Sequence, residues 1–244
     1  NKFRGDTDSI AKQLSKYNSL IGLVTKNIDH VKLIDIGSGR GEWLEKWSDE
    51  FDDCVGLEND NGMISFCRDK GLNIVGGDAL DSLSKITSNS ASVITIFHMI
   101  EHIENRYLLK LLDQCYRVLN NNGILIIETP SIDDIIVSSK TFYLDPTHIS
   151  HINPDYIRFL METIGFKQAM DFYINGGPLL NDKHSKITRI FNGVAQDLLL
   201  IATKTEHSSK MIFEDNIEWQ ADLNQAVKTM DAAVEFDLKN KVKM

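Results

Sequence analysis

The stretch Val31-Lys-Leu-Ile-Asp-Ile-Gly-Ser-Gly-Arg-Gly41 decides the fold of this chain. Its first six residues are mostly apolar and β-branched, which predicts a short buried strand. Glycines then occupy positions 37, 39 and 41, and residues 42–47 open a predicted helix. A strand, a glycine-rich turn and a helix in this order are typical of the first unit of an open parallel sheet. In such sheets the ligand lies beyond the carboxyl ends of the strands.

Alternating strands and helices follow this first unit. Further strands are predicted over 53–58, 72–75, 92–97, 124–127, 166–174 and 197–203, with helices over 61–70, 105–119 and 154–164. Because strands alternate with helices, the connections should be right-handed βαβ units. The pattern therefore predicts an α/β fold with a doubly wound, mostly parallel seven-stranded sheet.

Two helices are predicted to flank this sheet. An N-terminal amphipathic helix over 8–27 is indicated by apolar residues three and four positions apart. Near the C-terminus the same spacing joins Leu223, Val227, Met230, Val234, Leu238 and Val242. Four of these fit a heptad, but the register slips near Asp237, so a coiled coil and self-association through this helix stay open. We predict a helical cap (1–30), a main domain (31–204) and a helical tail (205–244).

Composition excludes several classes of protein. The chain has 244 residues, a formal net charge of -9 and scattered basic residues, so nucleic acid is not expected as a partner. The three cysteines form no CxxC pair and are expected to be reduced thiols. No apolar run approaches the ~20 residues that a membrane-spanning helix needs. We expect a cytoplasmic protein.

The glycine turn is compatible with two classes of cofactor. A dinucleotide site requires a small residue where this chain has Glu42, and a pyrophosphate beside Glu42 would also be repelled. The pattern D-x-G-x-G-x-G over residues 35–41 instead resembles the first motif of class I S-adenosylmethionine-dependent methyltransferases. Asp78-Ala79 after the third strand, Phe97-His98 after the fourth and the segment 117–125 resemble later motifs of that family, in the same order.

The resemblance implies S-adenosylmethionine as the cofactor and S-adenosylhomocysteine as its product. Glu58 would accept the ribose hydroxyls, and Asp78 would accept the adenine amine. The full set of cofactor residues that it implies is Asp35, Gly37, Gly39, Gly41, Glu58, Asn59, Met63, Asp78, Ala79, Phe97 and His98. Arg4 is a further candidate, because a guanidinium can bind the carboxylate of the cofactor in a bidentate manner.

Histidines are the candidate catalytic residues. A sugar hydroxyl is a poor nucleophile, and a histidine can remove its proton as the methyl group is transferred. The candidates are His98, His102 and His148, with His151 nearby in sequence, and Glu101 could orient an imidazole. Residues 98–102 also match the H-x-x-E-H pattern of inverted zinc proteases, but that pattern requires a helix, and here His98 ends a strand.

The same segment resembles the E-x-x-E-H of ubiquinone-pathway O-methyltransferases, in which it holds a divalent ion. His98 replaces the first carboxylate of that pattern, which disfavours a hard cation. A divalent metal is therefore not expected, although the sequence leaves a metal site open.

A narrower resemblance concerns the acceptor. Phe3-Arg-Gly5, Glu128-Thr-Pro130 and Phe142-Tyr-Leu-Asp-Pro-Thr-His148 resemble segments of methyltransferase domains in bacterial polysaccharide-assembly proteins. The resemblance implies a hydroxyl at the non-reducing end of a glycan such as an O-antigen as the acceptor, and a glycosyltransferase as a partner. The alternatives are methylation of a terminal phosphate or a small molecule, an NAD-dependent oxidoreductase, and a non-catalytic scaffold module.

Overall fold

A computed structural model describes residues 10, 13–27, 30–176, 194–213 and 223–241 of the chain. Its seven strands are β1 Lys32–Ile36, β2 Asp53–Glu58, β3 Ile74–Gly76, β4 Ala91–Phe97, β5 Leu119–Pro130, β6 Gln168–Gly176 and β7 Ala195–Thr203. Its helices are α1 Asn18–Asn27, α2 Glu42–Trp47, α3 Asn61–Asp69, α4 Ala79–Ser84, α5 Asn105–Val118, α6 Pro154–Ile164, α7 Glu206–Phe213 and α8 Leu223–Lys241.

The strands form one sheet in the order β3-β2-β1-β4-β5-β7-β6. β1 pairs in parallel with β2 and with β4, whereas β7 is antiparallel to both β5 and β6. The chain thus winds outward from β1 in one direction and from β4 in the other. The predicted doubly wound, mostly parallel seven-stranded sheet is confirmed.

Helices cover both faces of the sheet. On one face, Leu83 of α4, Leu111 of α5 and Ile157 of α6 are buried in the same core cluster. On the other face, Leu20 of α1 and Ile212 of α7 are buried in a second cluster. Because both faces are covered, the central strands are nearly continuously apolar rather than alternating, as the sequence of β4 predicts.

The structure corrects three details of the predicted elements. Residues 79–84 form helix α4, which the sequence prediction lacks. The fifth strand begins at Leu119, five residues earlier than predicted, so residues 121–123 lie within β5. Gly123 permits this path, because a Cβ there would lie 2.8 Å from the Ser92 carbonyl oxygen. The third strand begins at Ile74, two residues later than predicted.

The terminal helices agree with the sequence patterns. A 3₁₀ turn over Ser15–Tyr17 leads into α1, and α8 covers most of the predicted C-terminal amphipathic helix. Val234 and Leu238 on α8 are partly exposed. Within the described ranges, no helix has the length and apolar character that a membrane crossing needs.

Candidate active site

A cavity of about 760 Å³ opens where the strand order reverses, between β1 and β4. From the strand ends it is lined by Asp35, Gly37, Ser38, Phe97, His98, Glu128 and Pro130. The segment 141–148 and residues before α1, including Leu14 and Lys16, cover its other sides. This is the position at which open α/β sheets bind their ligands.

The glycine turn forms one wall of this cavity. Gly37, Gly39 and Gly41 all have positive φ, at 74°, 53° and 77°, a conformation that other residues rarely adopt. Gly37 faces the cavity, whereas Gly41 packs inward, because a Cβ at Gly41 would lie 2.3 Å from Leu72 Cδ1. Gly37 therefore lies toward a ligand, and Gly41 lets α2 pack closely on its neighbours.

Glu58, at the end of β2, is tied to the glycine turn. Its Oε2 accepts the N–H of Gly39 at 2.7 Å, and its Oε1 accepts the N–H groups of Asn59 and Asp60. The carboxylate is buried, and Oε2, which accepts one bond, keeps acceptor capacity. Glu58 thus fixes the turn, and its contact with ribose stays a prediction.

Asp78 and Ala79 lie at the start of α4. Asp78 Oδ1 accepts the N–H of Asp81, and its Oδ2 accepts the Tyr107 hydroxyl at 2.8 Å. Burial alone would raise the pKa of Asp78, but the bond from Tyr107 and the backbone bonds outweigh it and lower the pKa. Asp78 is therefore an anionic acceptor at neutral pH, which is compatible with the predicted bond from an adenine amine.

The remaining predicted cofactor residues have varied positions. Asp35 is buried and accepts the Thr95 hydroxyl at 2.7 Å. Met63 lies in the first turn of α3, where its N–H donates to the side chain of the N-cap residue Asp60. Arg4 lies outside the described residues. The positive-φ glycines, the acid at the end of β2 and the adjoining cavity together fit S-adenosylmethionine.

His98 lies between carboxylates at the end of β4. It has a positive φ of 49°, its Nε2 is 3.3 Å from Glu128 Oε1, and its Nδ1 is 3.5 Å from Glu101 Oε1. Burial would lower the pKa of His98, but the interactions with Glu101 and Glu128 raise it well above the ordinary value. The carboxylate that faces each ring nitrogen favours the protonated form of His98.

His102 and His148 also line the cavity and form a pair next to Glu101, with ring centroids 4.7 Å apart. His148 Nδ1 donates to the Phe142 carbonyl oxygen at 2.6 Å, and His102 Nδ1 bonds the Thr147 hydroxyl at 2.9 Å. A ring that donates from Nδ1 keeps the lone pair of Nε2 as its acceptor. This pair can therefore accept protons.

His151 has a different environment. Its ring stacks on Phe142 at 3.6 Å, and its Nε2 bonds the Ser138 carbonyl oxygen. Burial lowers its pKa. His151 packs behind the segment that carries His148 and does not line the cavity.

Several polar residues of the site were missed by sequence reasoning. Tyr17, which is fully buried, donates its hydroxyl to Glu128, and Lys16 forms an ion pair with the same carboxylate at 3.2 Å. Asn175 donates to Glu128 and to Asp197, at 3.3 and 2.7 Å. These contacts join residues more than 20 positions apart, so no local pattern signals them.

Two groups of side chains have the residue types of a metal site. Glu101, His102 and His148 form one, and His98, Glu128 and Asp197 form the other, each with ligand atoms within 4.8 Å of one another. In the first group, Glu101 accepts the Thr129 hydroxyl and both histidines have the bonds described above. In the second group, Glu128 and Asp197 accept from Asn175 and face His98.

Comparisons with known proteins agree with this geometry. A solved structure of an S-adenosylmethionine-dependent methyltransferase from Archaeoglobus fulgidus is 27% identical, with a TM-score of 0.70 over 83% of this chain and 96% of that one. A possible histamine N-methyltransferase from Thermotoga maritima (16% identity, TM-score 0.57, 80% and 91% coverage) shares the fold. So does phosphoethanolamine N-methyltransferase 2 of Haemonchus contortus, solved with S-adenosylmethionine (16%, 0.59, 78% and 53%).

No curated protein matches the chain at a significant level. The family model described as "Methyltransferase domain", however, matches residues 10–169, which include the glycine turn, β1 to β5 and the histidine pair. S-adenosylmethionine as the cofactor is thereby confirmed, and the oxidoreductase alternative is set aside. The chain belongs to the methyltransferase domain family.

Proposed function

We propose that this protein transfers the methyl group of S-adenosylmethionine to a hydroxyl oxygen at the end of a bacterial surface glycan. The observation that carries the proposal is the pair His102 and His148 on the cavity wall, each with Nδ1 engaged and Nε2 left as the acceptor. A hydroxyl acceptor needs such a group, because it loses its proton during transfer.

On the donor side, the residues of the turn orient the cofactor. Glu58 accepts the ribose hydroxyls while it holds Gly39, and Asp78 accepts the adenine amine while Tyr107 holds its other oxygen. The bound cofactor supplies an electrophilic methyl group on a sulfonium. Gly37 and Phe97 line the space in which the acceptor oxygen is held in line with the carbon–sulfur bond. Such positioning contributes much of the rate of a displacement reaction.

On the acceptor side, one histidine of the pair takes the proton. As the acceptor oxygen bonds to the methyl carbon, the carbon–sulfur bond breaks and its electron pair stays on sulfur. The hydroxyl proton moves to Nε2 of the histidine. His98 does not serve as the base, because an imidazolium held by two carboxylates has no free lone pair. We infer that His98 instead offsets the charge of Glu101 and Glu128.

The charge of the wall distinguishes the acceptors. Five carboxylates line the cavity, against the cations of Lys16 and His98, so its lining keeps a net negative charge that repels a phosphate; the carboxylates are those of Asp35, Glu42, Glu101, Glu128 and Asp145. This favours a neutral acceptor over a terminal phosphate. The choice of a glycan within that class rests on the resemblance of residues 3–5, 128–130 and 142–148 to polysaccharide-assembly proteins. On that basis we also propose a glycosyltransferase partner or a second copy of the chain for α8.

A transfer assay with labelled S-adenosylmethionine tests the proposal. The acceptor panel contains methyl glycosides, oligosaccharide ends, glycosyl phosphates and primary amines, each with and without chelator. We expect the label to appear in a methyl ether at the end of a glycan, to the same extent with and without chelator. Label only on nitrogen or phosphate would overturn the acceptor class. Binding of S-adenosylhomocysteine without transfer to any acceptor would favour the scaffold alternative.

A further inference from the structure

The segment after β5 places two hydrogen-bonded polar groups, the Asp145 carboxylate and the Thr147 hydroxyl, behind His102. Asp145 Oδ1 accepts the hydroxyl of Thr147 at 2.6 Å and also the N–H of Thr147 at 2.8 Å. The same hydroxyl oxygen lies 2.9 Å from His102 Nδ1. His102 follows β4 and Thr147 follows β5, so these hydrogen bonds join two separate parts of the cavity wall.

The direction of these bonds follows from the chemistry of each group. A carboxylate only accepts, so the single hydroxyl proton of Thr147 goes to Asp145. The hydroxyl oxygen can then only accept from His102, which requires a proton on Nδ1. The bonds from Thr147 lower the pKa of Asp145, so the direction holds at neutral pH. The lone pair of His102 therefore lies on Nε2.

We propose that Asp145 and Thr147 are positioning residues that fix the tautomer of His102, and that His102 is the general base for the acceptor hydroxyl. The inference rests on the proposed methyl transfer to a hydroxyl group. When Nε2 takes the acceptor proton, the positive charge on the ring is stabilised through Thr147 by the Asp145 carboxylate. An orienting carboxylate serves a catalytic histidine in the same way in Ser-His-Asp enzymes.

His148 has a weaker arrangement for the same task. Its Nδ1 bonds a neutral carbonyl, that of Phe142, so no hydrogen-bonded carboxylate stabilises its charged form. The titratable groups that surround His102 are Glu101 beside it in the chain, and Asp145 and His148 from the segment after β5. His148 thus packs against the base and limits its rotation.

Nuclear magnetic resonance tests the tautomer without any acceptor. The full chain is labelled with ¹⁵N-histidine, saturated with S-adenosylhomocysteine and compared with Thr147→Val, Thr147→Ser and Asp145→Asn. We expect the wild type and Thr147→Ser to show His102 protonated on Nδ1. Thr147→Val should lose this preference, whereas Asp145→Asn should keep it, because an amide oxygen can still accept the Thr147 hydroxyl. Protonation of wild-type His102 on Nε2 would overturn the proposal.

Kinetics provide the second measurement. With the acceptor that the transfer assay identifies, Thr147→Val should lower kcat on the order of 10²-fold at unchanged KM, and the acid limb of its pH profile should move to lower pH. Thr147→Ser, which keeps the hydroxyl group, should retain the kcat and the pH profile of the wild type. Thr163→Val, an exposed threonine on α6, is the matched control. Unchanged kcat and pH profile in Thr147→Val would overturn the positioning role of Asp145 and Thr147. Absence of transfer by the wild type, with the Nδ1 tautomer present, would overturn only the proposed function.

Discussion

The carboxylate of Glu58 accepts the backbone N–H of Gly39 at 2.7 Å, so the acid at the end of β2 holds the glycine turn at the end of β1. The remaining bonds of Glu58, to the N–H groups of Asn59 and Asp60, fix the carboxylate itself. A ribose would therefore meet a site that is already formed. We therefore expect the acid and the turn to act as one unit in cofactor binding.

Replacing Glu58 should weaken cofactor binding strongly. In Glu58→Gln one oxygen becomes a donor that faces backbone N–H groups, so both the turn and the ribose contact are disturbed. Hydrogen bonds to charged groups contribute about 1.5–3 kcal/mol, which corresponds to a Kd roughly 10- to 100-fold higher for S-adenosylhomocysteine. Isothermal titration measures this change in Kd, and Glu162→Gln, at an exposed position on α6, is the control. Equal affinity in both variants would contradict the assignment of Glu58.

Gly37 and Gly41 should respond differently to alanine. Both have positive φ, which costs about 1–2 kcal/mol for any other residue. At Gly41 the Cβ would also meet Leu72 Cδ1 at 2.3 Å, so Gly41→Ala should cost about 1–3 kcal/mol more in the free energy of unfolding. At Gly37 the nearest atom is Met99 Cγ at 3.2 Å, beside the cavity, so Gly37→Ala should mainly raise the Kd.

Denaturant unfolding and titration with S-adenosylhomocysteine on the same samples distinguish the two effects. The proposed division of roles fails if Gly41→Ala, where it is folded, loses as much affinity as Gly37→Ala.

The sequence motifs predicted the residues proposed to bind the cofactor better than those proposed to act on the acceptor. The glycine turn, Glu58 and Asp78 lie at strand ends, and in a parallel sheet all strand ends meet at one edge, so local motifs were enough to bring them together. Tyr17 and Asp197 reach Glu128 and His98 from opposite ends of the chain. No sequence periodicity encodes such contacts, because they depend on how the 3₁₀ turn before α1 packs on the sheet and on where β7 lies within it.

The histidines show the same limit. Their positions in sequence rank His98 and His148 highest, because one follows the fourth strand and the other lies in a loop expected to cover the site. The capacity to act as a base, however, depends on what each ring nitrogen faces. Two carboxylates face His98, whereas a hydroxyl and a carbonyl face His102 and His148. Only the folded geometry separates an imidazolium from a proton acceptor.

Tyr17 should stabilise the site through its buried hydroxyl. Burial and the neighbouring Glu128 raise the pKa of Tyr17 well above its ordinary value, so the hydroxyl remains a donor to Glu128. Tyr17→Phe removes this donor and should lower the free energy of unfolding by about 1–2 kcal/mol. Tyr156→Phe, an exposed tyrosine on α6, should change it by less than about 0.5 kcal/mol. Equal unfolding midpoints for the two variants in urea would contradict a structural role of the Tyr17–Glu128 bond.

Asp197 should make the protein less stable as the pH rises. Burial, followed by the charge of Glu128, raises the pKa of Asp197 from 3.8 to about 6, against the opposing effect of His98. An acid whose folded pKa is raised contributes its full stability below the unfolded pKa and loses it as pH rises through the folded value. The loss therefore falls between about pH 4 and pH 6.

Asp197→Asn removes the carboxylate but keeps an oxygen that can accept the bond from Asn175. We expect this variant to be more stable than the wild type by about 1–3 kcal/mol at pH 8 and equally stable at pH 4. Thermal unfolding across this pH range measures the difference. Asp171→Asn would be a poor control, because Asp171 pairs with Arg158, so the exposed Asp69→Asn is used instead. A variant that is less stable at pH 8 would mean that the attraction between Asp197 and His98 outweighs the burial of the carboxylate.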